Sequence, residues 1–170
     1  MRRYLREFLG DPRVVDAPRV LWWAVLNLVI LPLRSRRSAA RYRSIWTPDG
    51  SPLAVITHRQ AAAMQALLED RASTRVHVAV GMRYGHPSIA EGLRRLRDLG
   101  CRPLIILPLY PQYSGTTTAS VGDAVSRELA AWSQLPDVRT VASYADHQGY
   151  IRALGASLRD HWSRLGAGDR

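Results

Sequence analysis

The chain has 170 residues, 46% of them hydrophobic, which is enough to bury the core of one ordinary domain and excludes a disordered tail. Its one cysteine, Cys101, excludes an internal disulfide and a multi-cysteine zinc or iron–sulfur site within the chain, and fits a reducing, intracellular setting. The formal charge of +10 is carried by arginine alone, with ten arginines from Met1 to Ile45 against Glu7, Asp11 and Asp16; no nucleic-acid-reading motif accompanies this basic region.

Met1–Leu9 reads as a helix that starts without a capping residue. The apolar run Val20–Leu33 follows. Its fourteen residues, interrupted by Asn27 and Pro32, fall short of the ~20 that a spanning helix needs. No cleavage pattern of a signal peptide follows it. By composition it is a buried core helix; the alternative is a helix lying in one leaflet with Trp22 and Trp23 at the interface.

From there the pattern alternates. Leu53–Ile56 is predicted as a short strand, and Thr57 to Gln60 as a capping box opening a helix over Ala61–Glu69. Val76–Val80 is predicted as a strand. Pro87 to Glu91 opens the next helix with a second capping box, and Gly100 closes it in a left-handed conformation. Leu104–Leu107 is a buried strand, Ser120–Trp132 a helix, Val138–Val141 a weaker strand and His147–Arg164 an amphipathic helix. Strands separated by single helices imply parallel pairing, and hence an α/β three-layer parallel sheet.

Ligands of such sheets sit at the carboxyl ends of the strands. That rule selects Met82–Pro87 and Pro108–Ser120. The first sets Arg83, Tyr84 and His86 beside Gly85; an arginine there can hold a carboxylate bidentately, or it is a surface residue of a capping loop. The second holds Tyr110 and Tyr113 between prolines, ahead of a run of hydroxyls. Held aromatic rings with polar tips suit a flat, partly polar ligand, or they merely cover the sheet edge. His58, His77, His147 and His161 have no metal-ligand spacing, and Cys101 reads as a small core residue.

Taken together, Arg83-Tyr84-Gly85 with Pro87, the block Leu107-Pro108-Leu109-Tyr110-Pro111-Gln112-Tyr113-Ser114, and Ile45-Trp46 leading to Gly50-Ser51-Pro52-Leu53 resemble the ferrochelatase family. So do Tyr4-Leu5 with Phe8-Leu9, Asp11 to Val15, Leu21-Trp22-Trp23 and Leu31-Pro32-Leu33-Arg34, in the family's order from Tyr4 to about Trp162. The resemblance implies one Rossmann-like lobe, residues 1–170, of a two-lobed chelatase fold. Residues 1–46 would be a helical arm and apolar lip, and 47–170 the alternating part, lacking the family's first strand. It implies insertion of ferrous iron, a substrate and not a cofactor, into a porphyrin (protoporphyrin IX or coproporphyrin III). The porphyrin-binding residues would be Arg34, Tyr42, Ser51, Arg83, Tyr84, Tyr110 and Tyr113, with Val20–Leu33 against a membrane surface, reversing the composition-only preference. The implied location is cytoplasmic, at the inner face of the cell membrane.

The family's serine–x–histidine motif and its assisting glutamate find no match here, so the resemblance implies no catalytic and no metal-binding residue in this chain, which is expected to be an inactive truncated form on its own. The alternatives are a non-catalytic porphyrin- or membrane-binding module and a short homo-oligomeric chelatase.

Overall fold

The computed structural model describes residues 1–166, apart from the side chains of Arg36 and Arg37; positions 167–170 of the expected lobe lie outside the described residues. Helix α1 (Arg2–Leu9) places Tyr4 and Phe8 one turn apart, with stacked rings at a centroid distance of 6.0 Å. After a turn at Asp11, one continuous helical run extends from Arg19 to Arg43. It comprises α2 (Arg19–Ala24), a π-helical stretch (Val25–Ile30) and α3 (Leu31–Arg43). Pro32 at the start of α3 brings no N–H to the ladder, and the widened π turns lie just ahead of it.

One face of this run is anchored. Leu26 and Leu31 are buried, and the Trp22 indole donates to the Leu9 carbonyl at 2.7 Å. The other face is bare: Val20, Leu21, Trp23, Leu28, Val29 and Leu33 are all exposed. Trp22 therefore belongs to the anchored side and Trp23 to the open one. Among the described residues no helix is long and apolar enough to cross a membrane.

The expected strand at Leu53–Ile56 is helical. It forms the first turn of α4 (Pro52–Arg71), which starts at Ser51, whose hydroxyl oxygen accepts from the Ala54 N–H at 3.1 Å. A serine N-cap followed by proline at the first helical position outweighs a four-residue apolar run that has no alternation of its own. The Thr57–Gln60 box thus lies inside a helix and caps nothing. Val76–Val80 does not join a ladder either. Its backbone is met by a side chain: the Gln65 amide donates to the Val76 carbonyl and accepts from the Val78 N–H, both at 2.6 Å.

The packed centre is the later half. Helix α5 (Ile89–Asp98) begins with the expected capping box, Ser88 and Glu91 each accepting from the other's backbone N–H, and ends before Gly100 at φ +74°. Strands β1 (Leu104–Ile106) and β2 (Val138–Thr140) pair in parallel, Leu104 opposite Val138. A π turn (Gly115–Ala119) leads into α6 (Ser120–Leu129), and α7 (Gln148–Leu165) closes the fold, capped by His147. Leu93, Leu104, Val121, Val125 and Leu129 form the core, with Cys101 against it. The α/β order and the parallel pairing hold. The ladder has two strands among the described residues, so the expected three-layer sheet is not reached.

Neither α4 nor α7 buries a residue, whereas α5, β1 and α6 supply the core. Local opening is easiest where few apolar contacts must break. Hydrogen exchange followed by mass spectrometry should therefore show α4 and α7 exchanging first and α5, β1 and α6 last. Uniform protection would contradict this packing.

Candidate functional site

Two loops bring the unusual residues together, Arg83 of Met82–Pro87 reaching Ser120 at the end of the other. The Met82–Pro87 loop lies against the amino-terminal arm. Gly85, at φ +89°, presents its N–H to the Glu7 carboxylate at 2.9 Å, a backbone conformation that other side chains rarely adopt. Just before the loop, Gly81 lets the chain pass α5: a Cβ there would stand 2.9 Å from the Ile89 Cα.

Asp11 is the centre of the arrangement. Its side chain is 3% exposed and that of Arg83, its ion-pair partner, 16%. Oδ2 accepts from Arg83 Nη2, from the Tyr84 hydroxyl at 2.8 Å and from the Ser120 hydroxyl at 2.6 Å; Oδ1 accepts from the Arg13 N–H at 2.8 Å. Arg83 Nε donates in turn to the Ser120 carbonyl at 2.9 Å and hydroxyl at 2.6 Å, and the guanidinium covers the Tyr84 ring at 4.6 Å. Burial opposes ionisation of Asp11, but the hydrogen bonds from Ser120, the Arg13 amide and Tyr84, with the charge of Arg83, outweigh it and hold the carboxyl below its ordinary value.

Around this pair the rings gather. Tyr84 meets Phe8 edge-on at 5.3 Å and Tyr4 at 6.3 Å, and Tyr4 meets Tyr42 at 6.3 Å. Burial, together with the neighbouring Tyr42 and Tyr110, raises the pKa of the Tyr4 phenol. Burial likewise raises that of Tyr84, where the Asp11 carboxylate adds to the effect and the Ser120 hydroxyl and Arg83 work against it. Both phenols are neutral at physiological pH. The wall is aromatic and edged with hydroxyls, which suits a flat ring system.

The structure thus gathers Tyr42 and Tyr84 through Tyr4, whereas Tyr110 makes no ring contact with them among the described residues. Tyr113 stands apart beside Arg13, which is bound to Asp123 with Nη2 donating to Oδ1 at 2.9 Å. Arg34 is exposed on α3, and the Ser51 hydroxyl caps α4; among the described residues neither is hydrogen-bonded to the cluster. Arg83 faces inward. His86 pairs with Glu91 at 3.0 Å, on the capping box of α5. Sequence reasoning did not single out Asp11, Ser120 or Tyr4 for this site. The available signals were the Gly10-Asp11-Pro12 turn, the Tyr4/Phe8 spacing on one helix face, and the need of a loop arginine next to apolar residues for a countercharge.

The ferrochelatase family model matches residues 1–170. Ferrochelatases of Thioalkalivibrio sulfidiphilus, Azoarcus sp. strain BH72 and Herminiimonas arsenicoxydans are 50%, 52% and 50% identical over the whole chain, which covers 46% of each of them. The chain therefore spans about half the length of these curated relatives.

Removing one partner of a buried ion pair strands the other, at a cost of about 3–5 kcal/mol. Asp11→Asn should lower stability by about that much in urea denaturation at neutral pH. Because the folded carboxyl lies below its ordinary value of 3.8, the Asp11 contribution is complete above that value and is lost as pH falls through the folded one. The gap between wild type and variant should close in acid; a gap that widens there would contradict the assignment.

Proposed function

The chain belongs to the ferrochelatase family, and on that premise we propose that it forms one wall of a porphyrin site that serves insertion of ferrous iron in haem biosynthesis. The observation that carries this reading is the aromatic cluster of Phe8, Tyr42 and Tyr84 around Tyr4, next to an exposed apolar helix. In this reading the rings receive the macrocycle, while Arg34 and Ser51 take its carboxylates. The bare face of the Arg19–Arg43 run would rest on a membrane through Trp23, Leu28 and Leu33.

Metal insertion also needs a group to take the pyrrole protons and ligands to deliver iron. Among the described residues no three His, Cys, Asp or Glu side chains stand close enough to hold a metal ion, and His86 is engaged by Glu91. We propose that this chain binds porphyrin and does not by itself carry out the insertion step.

Quenching of porphyrin fluorescence should give a weak, saturable affinity, because a single wall removes little of the ring from water. With anaerobic ferrous iron or zinc, porphyrin absorbance should change no faster than without protein. Robust turnover abolished by His86→Ala would overturn the division. Vesicles containing phosphatidylglycerol should carry the chain up a flotation gradient, and Trp23→Ser with Leu33→Ser should leave most of it at the bottom. Equal flotation of both forms would remove the membrane assignment.

A further inference from the structure

Helix α1 carries Tyr4 and Phe8 but buries no residue of its own, so its place depends on tethers. On one side Glu7 takes the Gly85 N–H, and Asp11 in the turn beyond takes Arg83, Tyr84 and Ser120. These bonds hold α1 to the loop that carries Tyr84. On the other side stands the Arg19–Arg43 run, whose far end carries Tyr42. Leu26 and Leu31 are buried on its anchored face, but apolar contact has no direction of its own. Among the described residues a single hydrogen bond joins α1 to the run: the Trp22 indole N–H donates to the Leu9 carbonyl at 2.7 Å. Leu9 is the last residue of α1, where a helix leaves its carbonyls without partners. The ring contacts divide in the same way. Tyr84 meets Phe8 and Tyr4 on the loop side, while among the described residues Tyr42 meets Tyr4 alone, on the run side.

We propose that Trp22 is a positioning residue of the ring cluster: its bond to Leu9 sets the angle of α1 against the helical run and so keeps Tyr42 edge-on to Tyr4. Trp22 touches no ligand in this role and acts through α1. The role rests on the porphyrin reading for its ligand and on the hydrogen-bond geometry for the rest. Among the described residues only Trp22 and Trp132 donate from an indole, and Trp132 does so to Glu128 on α6 at 3.2 Å. That second bond lies outside the ring cluster and serves as the comparison.

The test uses the whole chain and two readouts. In NMR spectra with labelled tyrosine and phenylalanine, Trp22→Phe should remove the nuclear Overhauser contact between the Tyr4 and Tyr42 rings and leave that between Phe8 and Tyr84. Affinity for mesoporphyrin IX, read by fluorescence quenching, should fall by about two- to tenfold, since re-forming the wall costs no more than the lost hydrogen bond contributed. Trp132→Phe also deletes an indole N–H bond and should leave both readouts at their wild-type values. Replacing Trp22 by β-(3-benzothienyl)alanine keeps the fused ring without the N–H, and should reproduce the Trp22→Phe result even where the smaller ring prevents folding. A Tyr4–Tyr42 contact that survives in this isostere would overturn the positioning role. So would loss of the Phe8–Tyr84 contact along with it, or an equal effect of Trp132→Phe. If the wild type does not quench mesoporphyrin at all, it is the porphyrin reading that fails, and the ring contacts decide the role of Trp22 by themselves.

Discussion

One buried carboxylate ties together parts of the chain that are far apart in sequence. Asp11 sits in the turn after α1, yet its partners are Arg83 and Tyr84 in the loop before α5 and Ser120 at the start of α6. A charge with 3% of its side chain exposed is tolerable only if donors replace the water it has lost, and four do so. Glu7 on Gly85 and Arg13 on Asp123 flank it and fix the direction of the arm on either side. Those flanking contacts are more exposed and contribute less each. Their value is in register, and the deep pair supplies the constraint.

Everything aromatic at the site inherits its orientation from that constraint. Tyr84 is pinned at its hydroxyl, so its ring can meet Phe8 and Tyr4 edge-on without swinging. Tyr4 then carries the arrangement to Tyr42 at the far end of α3. The same α1 that supplies Tyr4 and Phe8 also accepts the Trp22 indole, so the apolar helical run and the ring wall are referenced to one short helix. The Asp11 turn, α1 and the Arg19–Arg43 run therefore form a continuous path from the buried ion pair to the exposed apolar face.

How much of this the sequence disclosed depends on whether the cause was local. The α5 capping box, its terminating glycine and the parallel strand pair were legible because each follows from neighbouring residues or from alternation. The segment Leu53–Ile56 was misread because a short apolar run fits strand and helix equally, and the deciding signal, Ser51-Pro52, lay one step upstream. The tyrosine loops were selected by a strand-end rule, but the first of its strands, Val76–Val80, does not form. The role of Arg83 could not be read, since Asp11 lies 72 residues away and nothing in either segment names the other. Nor could the split of Trp22 from Trp23, adjacent in sequence and about 100° apart around a helix.

Gln65 gives the Val76–Val80 segment an unusual boundary. Its amide takes the Val76 carbonyl and the Val78 N–H, the pair that one residue of a parallel neighbour would take in a ladder. A glutamine on α4 is thus acting as a single counterfeit rung. Any polypeptide that zips onto this edge has to evict the rung first, trading two hydrogen bonds for two of the same kind. The exchange is close to neutral at that position, so docking of a strand would be decided by how many further rungs it adds beyond the first. Gln65 thus stands in, from within α4, for the first rung of a parallel neighbour along Val76–Val80.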